Sequence, residues 1–289
     1  MKTLVSLILF LTILISGSVR EWTGADQPIS PPEQSLTPEA TPSPAVPTPG
    51  EVTPEPTPAA SPEHPPSVTP EPTPTPDLYD YSLPVAQSEP VDEAWFADAV
   101  MIGDSRTDGM RLYSGIRGVD ILCSKGLTVF EVMEDKPVIQ RADGKVGVLQ
   151  ALSGKRYAKV YISLGVNELG YFDDPGFANT YSAMVDKIRE LQPDADIYLQ
   201  TLIPVNTQKC KETNQPYYVT NKQVEIYNEI IRSLAVEKRV YLLEVGEIFV
   251  DENGELFYDA SFDGIHFHKA GYKQWYEYLK THTVKDGVR

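Results

Sequence analysis

Five short apolar runs recur from about residue 96 onward: 97–102 (ADAVMI), 119–123 (VDILC), 159–164 (KVYISL), 196–202 (DIYLQTL) and 240–245 (VYLLEV). Each is about strand length and rich in branched or aromatic residues. Between them the period changes. Tyr181, Met184, Val185, Ile188 and Leu191 advance by threes and fours, as do Val224, Tyr227, Ile230, Ile231 and Leu234, which predicts amphipathic helices. Residues 270–279 read as a last helix. Strands that alternate with helices predict a mainly parallel sheet covered on both faces. Ligands of such sheets bind beyond the carboxyl ends of the strands, so the chemistry is expected immediately after the apolar runs.

The N-terminal quarter follows a different pattern. Residues 1–18 (MKTLVSLILFLTILISGS) place one lysine ahead of an apolar run and small residues behind it, the layout of a secretory signal. Ser16 and Ser18 fit small-x-small cleavage, so removal after Ser18 is expected; an uncleaved anchor is the alternative. The run from Leu4 to Ile15 is shorter than the roughly 20 residues of a membrane span. No cysteine follows it for lipid attachment. Residues 19–76 follow as one linker: residues 27–76 repeat Thr-Pro, Glu-Pro and Ser-Pro steps, and 18 of the chain's 25 prolines lie between Pro28 and Pro76. This stretch has too little apolar side chain to offset the entropy of ordering. It is expected to be a disordered, extended polyproline II spacer whose hydroxyl residues are candidate O-glycan sites. Residues 77–289 remain, and that length suits one domain with a sizeable core.

Charge and cysteine content narrow the function. The net charge of -16 divides by region: residues 21–76 carry eight acids and no Lys or Arg, and residues 77–289 carry 33 acids against 23 bases. With no basic run, nucleic acid and anionic membrane surfaces are poor partners. Within the domain the acidity sits in the lead-in: residues 106–289 hold 26 acids against 23 bases and are close to neutral. Two cysteines, Cys123 and Cys210, exclude a disulfide-stapled scaffold and a Cys-rich zinc site. Free thiols are expected, with a Cys123–Cys210 disulfide as the alternative that export permits.

Four short motifs fall at the predicted strand ends. Gly103-Asp104-Ser105 follows the first run and puts a hydroxyl on a strand-to-helix turn, where the helix N-terminus favours negative charge. Asp104 also suits a helix cap. Gly126, after the second run, lets a backbone N–H approach a ligand closely. Asn167, after the third, offers a side-chain amide that donates without titrating, or alternatively caps a turn. Near the C-terminus, Asp263 precedes His266 by three residues, a spacing at which it can orient the ring and stabilise the imidazolium. His268 shares that loop, and His282 is expected to be a solvated surface residue. His266, His268 and Asp263 lack further clustered His or Cys, so no metal and no cofactor are expected.

Taken together and in this order, Gly103-Asp104-Ser105, Gly126, Gly165-Val166-Asn167 and Asp263-Gly264-Ile265-His266 resemble the SGNH (GDSL-like) hydrolase family over roughly residues 95–282. The wording IGDSRTDG, LGVNELG and LIPVN resembles a secreted Gram-positive subgroup. The resemblance implies a flavodoxin-like three-layer α/β/α sandwich with a five-stranded parallel sheet. It implies Ser105 as nucleophile, His266 as base and Asp263 as its partner, with Ser105, Gly126 and Asn167 forming the oxyanion hole. Glu168 departs from the pattern, since many relatives carry Asp there, and its loop-tying hydrogen bonds are expected to differ.

The expected function is an extracellular serine esterase, acting as a monomer and removing O-acetyl groups from cell-wall or plant polysaccharide. A lipase, a thioesterase and an O-acyltransferase would use the same residues. A non-catalytic wall-binding module is the rival from another class, and association with the wall or membrane through the N-terminus fits either. Tyr161, Tyr171, Phe172, Tyr217 and Tyr218 are candidates to stack on sugar rings, or to pack in core and loops. Arg106 is expected either to meet an anionic substrate group or to pair with a nearby acid such as Asp108.

Overall fold

The structure, a computed structural model, describes residues 79–285. The expectations for residues 1–18 and 19–76 lie outside the described residues. Five strands form one parallel sheet in the order β2-β1-β5-β6-β7: β1 Ala99–Gly103, β2 Asp120–Cys123, β5 Lys159–Ser163, β6 Asp196–Gln200 and β7 Tyr241–Leu243. Each overlaps one of the apolar runs. The helices are α1 Ser105–Tyr113, α2 Val129–Met133, α3 Val148–Ser153, α4 Asp174–Leu191, α5 Thr207–Glu212, α6 Asn221–Lys238 and α7 Lys269–Thr281. The sandwich and the five-stranded sheet are those the sequence leads one to expect. A two-stranded antiparallel hairpin, β3 Ile139–Arg141 with β4 Gly144–Val146, is an addition. Its strands are three residues each and mostly exposed, so they carry no apolar period.

Side chains alternate across the sheet and feed two separate cores. Val100, Ile102, Val160, Ile162, Ile197 and Leu199 pack with residues of α2, α3, α4 and α6. Met101, Tyr161, Tyr198, Tyr241 and Leu243 pack with α1 and α7. All residues of β1 and β5 are buried, as expected of strands covered on both faces. The register brings Tyr161 beside Tyr198, and Tyr198 beside Tyr241, with ring centroids 4.6 and 4.9 Å apart. Such same-face neighbours are the unit of sheet stabilisation. Tyr161 is fully buried and its hydroxyl accepts from Trp95 Nε1 at 3.0 Å, so it belongs to this ladder and is no sugar platform.

Local signals set the helix ends. The Asp173 carboxylate accepts from the Gly176 N–H at the start of α4, where Pro175 stands in the first turn. Thr128 and Glu131 form a reciprocal capping box on α2. The chain runs from β1 out to β2 and then crosses to β5 on the other side of β1. The carboxyl ends of β1 and β5 therefore flank the point where the order reverses, and a crevice opens there.

Candidate active site

Ser105 is the first residue of α1, immediately beyond β1. Gly103 makes this turn tight: a Cβ there would collide with the Thr107 side chain and stand 2.9 Å from the Ser163 carbonyl oxygen. Asp104 caps the helix, its Oδ1 accepting from the Arg106 N–H at 2.8 Å. The Ser105 N–H lies at the helix start, where backbone donors have no intrahelical partner.

The candidate base, His266, comes from the loop before α7. Ser105 Oγ lies 2.8 Å from His266 Nε2, and His266 Nδ1 lies 2.7 Å from Asp263 Oδ2. The other Asp263 oxygen accepts from the N–H groups of Ile265, at 2.9 Å, and His266, at 2.7 Å. Partial burial works against the Asp263 charge, but these donors and the His266 ring hold the carboxyl down at about 2. Ser261 closes the loop, donating to the His266 carbonyl at 2.6 Å and accepting from the Gly264 N–H at 2.8 Å. Both ring nitrogens of His266 thus have a side-chain partner.

Gly126 sits in the turn after β2 with φ of +75°, a left-handed backbone that favours glycine. The turn is fixed to the end of β1: the Ser124 N–H donates to the Gly103 carbonyl at 3.3 Å, and the Leu127 N–H to the Ser124 carbonyl at 3.1 Å. Asn167 lies in a short 3-10 turn, Val166–Glu168, after β5. Its Nδ2 donates to the Leu127 carbonyl at 3.0 Å and to Asp104 Oδ2 at 3.2 Å. The amide therefore bridges the residue before Ser105 to the residue after Gly126.

Ser105, Gly126, Asp263 and His266 line one cavity of about 450 Å³, together with Leu112, Tyr113 and Phe262. Asn167 is not among these lining residues; its amide is held by its neighbours Asp104 and Leu127. A larger cavity, about 580 Å³, opens beside Asn206, Glu255 and Tyr258 and contains none of the expected site residues. Its Glu255 is already committed to the Thr207 N–H at 2.6 Å.

Several side chains take roles that differ from the expectations or were not anticipated. Arg106 meets neither a substrate space nor Asp108. It is buried, donating from Nε to the Ile265 carbonyl at 3.0 Å and from Nη1 to the Ile203 carbonyl at 2.8 Å. Asp108 pairs with Arg111 instead. Glu168 is fully buried and accepts from the Val129 N–H at 2.7 Å, which ties the start of α2 to the Asn167 turn. Burial pushes its carboxyl up to about 8, against the pull of that N–H. Its second oxygen has no partner among the described residues, and neither does the buried Tyr181 hydroxyl. His268 is the cap residue before α7. His282 is packed rather than solvated, with its ring stacked on Tyr278 at 3.7 Å. Cys123 and Cys210 are free thiols, in line with the expectation, raised by burial to about 12 and about 11. Phe172, Tyr217 and Tyr218 form an aromatic cluster outside the cavity lining, and the exposed Tyr171 stacks instead on Phe130 with ring centroids 5.1 Å apart. One signal was available for the cavity wall: Ser105, Gly109, Leu112 and Tyr113 recur at helical steps on α1 and share one face.

Comparison with known proteins gives a consistent picture. The model of the GDSL-like lipase/acylhydrolase family matches residues 101–274. An isoamyl acetate-hydrolyzing esterase from Saccharomyces cerevisiae is 31% identical over 72 residues, which are 25% of this chain and 30% of that enzyme's length. A structure from Streptococcus pneumonia, provisionally described as a platelet activating factor, has a TM-score of 0.51 at 19% identity, covering 65% of this chain and 89% of that one. A GDSL-like lipase from Bacteroides thetaiotaomicron has a TM-score of 0.48 at 17% identity, covering 67% of this chain and 88% of that one. At 19% identity, what the Streptococcus pneumonia structure shares with this chain is the fold.

Proposed function

The chain belongs to the GDSL-like lipase/acylhydrolase family, and from that premise we propose that it is a serine-dependent ester hydrolase. One observation carries this reading: the continuous hydrogen-bonded line from Ser105 Oγ through His266 to Asp263, at 2.8 and 2.7 Å. His266 Nε2 takes the Ser105 proton as Oγ attacks the ester carbonyl. Asp263, anionic throughout the neutral range, holds the ring with Nδ1 protonated and stabilises the imidazolium. The tetrahedral oxyanion is met by the backbone N–H groups of Ser105 and Gly126. Asn167 supplies a third donor by exchanging its longer bond, the one to Asp104, for the oxyanion. Each such donor lowers the barrier by about 3–4 kcal/mol. His266 passes the proton to the departing alcohol, and water then releases the acyl group by the same steps in reverse.

The finer reading is removal of O-acetyl groups from polysaccharide outside the cell. It is supported by the signal-like N-terminus, the proline-rich stretch and the near-neutral charge of residues 106–289. The test is hydrolysis of 4-nitrophenyl acetate by the wild type, Ser105→Ala and His266→Ala. Turnover is expected to fall at least 10³-fold in both variants; wild-type rates in either would remove the assignment. Acetate release from acetylated xylan and peptidoglycan tests the substrate.

A further inference from the structure

Proton bookkeeping gives the cavity beside Ser105 a direction. In acylation the bond from Ser105 Oγ to the carbonyl carbon forms, the bond from that carbon to the alcohol oxygen breaks, and His266 Nε2 delivers to that oxygen the proton it took from Ser105. The departing oxygen must therefore come within hydrogen-bond reach of Nε2. Whatever is attached to it extends along the wall that continues from the His266 ring.

That wall is Phe262. Its ring lies nearly parallel to the His266 ring, 14° between planes and 5.9 Å between centroids. The last turn of α1 brings Leu112 and Tyr113 into the same lining. These three large apolar side chains are 55%, 52% and 46% exposed, although they surround a nucleophile. Apolar surface grouped in this way marks a ligand groove. The cavity, at about 450 Å³, is of ligand-site size, and an acetyl group would leave most of it empty. Asp108 and Lys125 add polar atoms to the lining.

We propose that this cavity is the alcohol subsite, and that its occupant is a ring-shaped polyhydroxy alcohol, a sugar whose face lies on Phe262 with Tyr113 as the second wall. The acyl group is directed elsewhere. Aromatic faces with polar groups beside them suit a ring that has apolar faces and hydroxylated edges. The inference rests on the esterase reading and adds which half of the ester the cavity selects. Phe262 and Tyr113 become specificity residues for the leaving group.

The experiment compares two ester series in the wild type, Phe262→Ala and Tyr113→Ala. The first holds the acyl group at acetyl and varies the alcohol: methyl acetate, cyclohexyl acetate and mono-O-acetylated methyl glucoside. The second holds the alcohol at 4-nitrophenol and lengthens the acyl group: acetate, butyrate, octanoate. Phe262→Ala is expected to raise KM for the acetylated glucoside at least tenfold more than for methyl acetate, and Tyr113→Ala to act in the same direction. Across the nitrophenyl series both variants are expected to lose one common factor at every chain length. A loss that grows from acetate to octanoate would overturn the proposal, because the cavity then takes the acyl chain. Equal losses in every ester would also overturn it, because Phe262 then only supports His266. So would wild-type enzyme that cleaves methyl and nitrophenyl acetates but not the glucoside. Failure of the esterase reading looks different: the Ser105→Ala protein would cleave both series at the wild-type rate.

Discussion

Two strand-end loops supply acids to the same site and treat them in opposite ways. In the loop before α7, Asp263 is half-buried and receives two backbone N–H groups and the His266 ring, so its carboxyl is held at about 2. In the turn after β5, Glu168 is fully buried, receives one backbone N–H and is raised to about 8. The difference lies in how many donors offset the lost hydration. Three donors keep an anion in place; one donor leaves an acid that is mostly neutral at pH 7. The charged acid can orient a base, while the neutral one can serve as a buried tie between two loops.

The largest effect should come from removing the charge where it is used. Asp263→Asn retains the shape but not the anion, and kcat for nitrophenyl acetate should fall about 10⁴-fold, with KM changed much less. Glu168→Gln should leave kcat within a few-fold. A comparable collapse in both variants would show that the two acids are not divided in this way.

Stability against pH sharpens the contrast. Glu168 is raised when folded, so its cost is absent below the unfolded value of about 4.5 and grows as pH rises toward 8. Between pH 6 and pH 9 this amounts to about 3 kcal/mol, or roughly 5–10 °C in Tm. The Gln variant cannot ionise, and its Tm should decline distinctly less over that range in calorimetry. Asp263 has the opposite sign: its contribution is complete above about 3.8 and is lost as pH falls through about 2.

The smallest effect is expected beside Glu168. The Tyr181 hydroxyl is buried without a partner among the described residues. Tyr181→Phe removes a polar atom that has nothing to lose, so stability should stay within about 1 kcal/mol or rise. A clear loss in urea unfolding would mean that the hydroxyl is bonded in solution.

Much of this arrangement was legible in the sequence. Strands buried on both faces read as apolar runs, and Ser105, Gly126, Asn167, Asp263 and His266 stand out as candidates because each follows a strand or shares a short spacing. Arg106 and Glu168 were harder to place. Each is a charged residue beside a motif, which on average means a solvated side chain. Burial came instead from partners distant in sequence: the carbonyls of Ile203 and Ile265 for Arg106, and the Val129 N–H for Glu168. Phe262 was overlooked because an exposed aromatic next to an acid has no period to reveal it. The hairpin β3–β4 was too short and too exposed to leave a pattern.

The bond between Ser105 and His266 spans 161 positions of the chain, and this has a consequence in time. During synthesis Ser105 emerges first. At roughly 5–20 residues per second His266 follows after an interval on the order of ten seconds or more. Until then Ser105 has no imidazole beside it. The proposed triad is complete only once the loop before α7 has been made and has closed onto the start of α1.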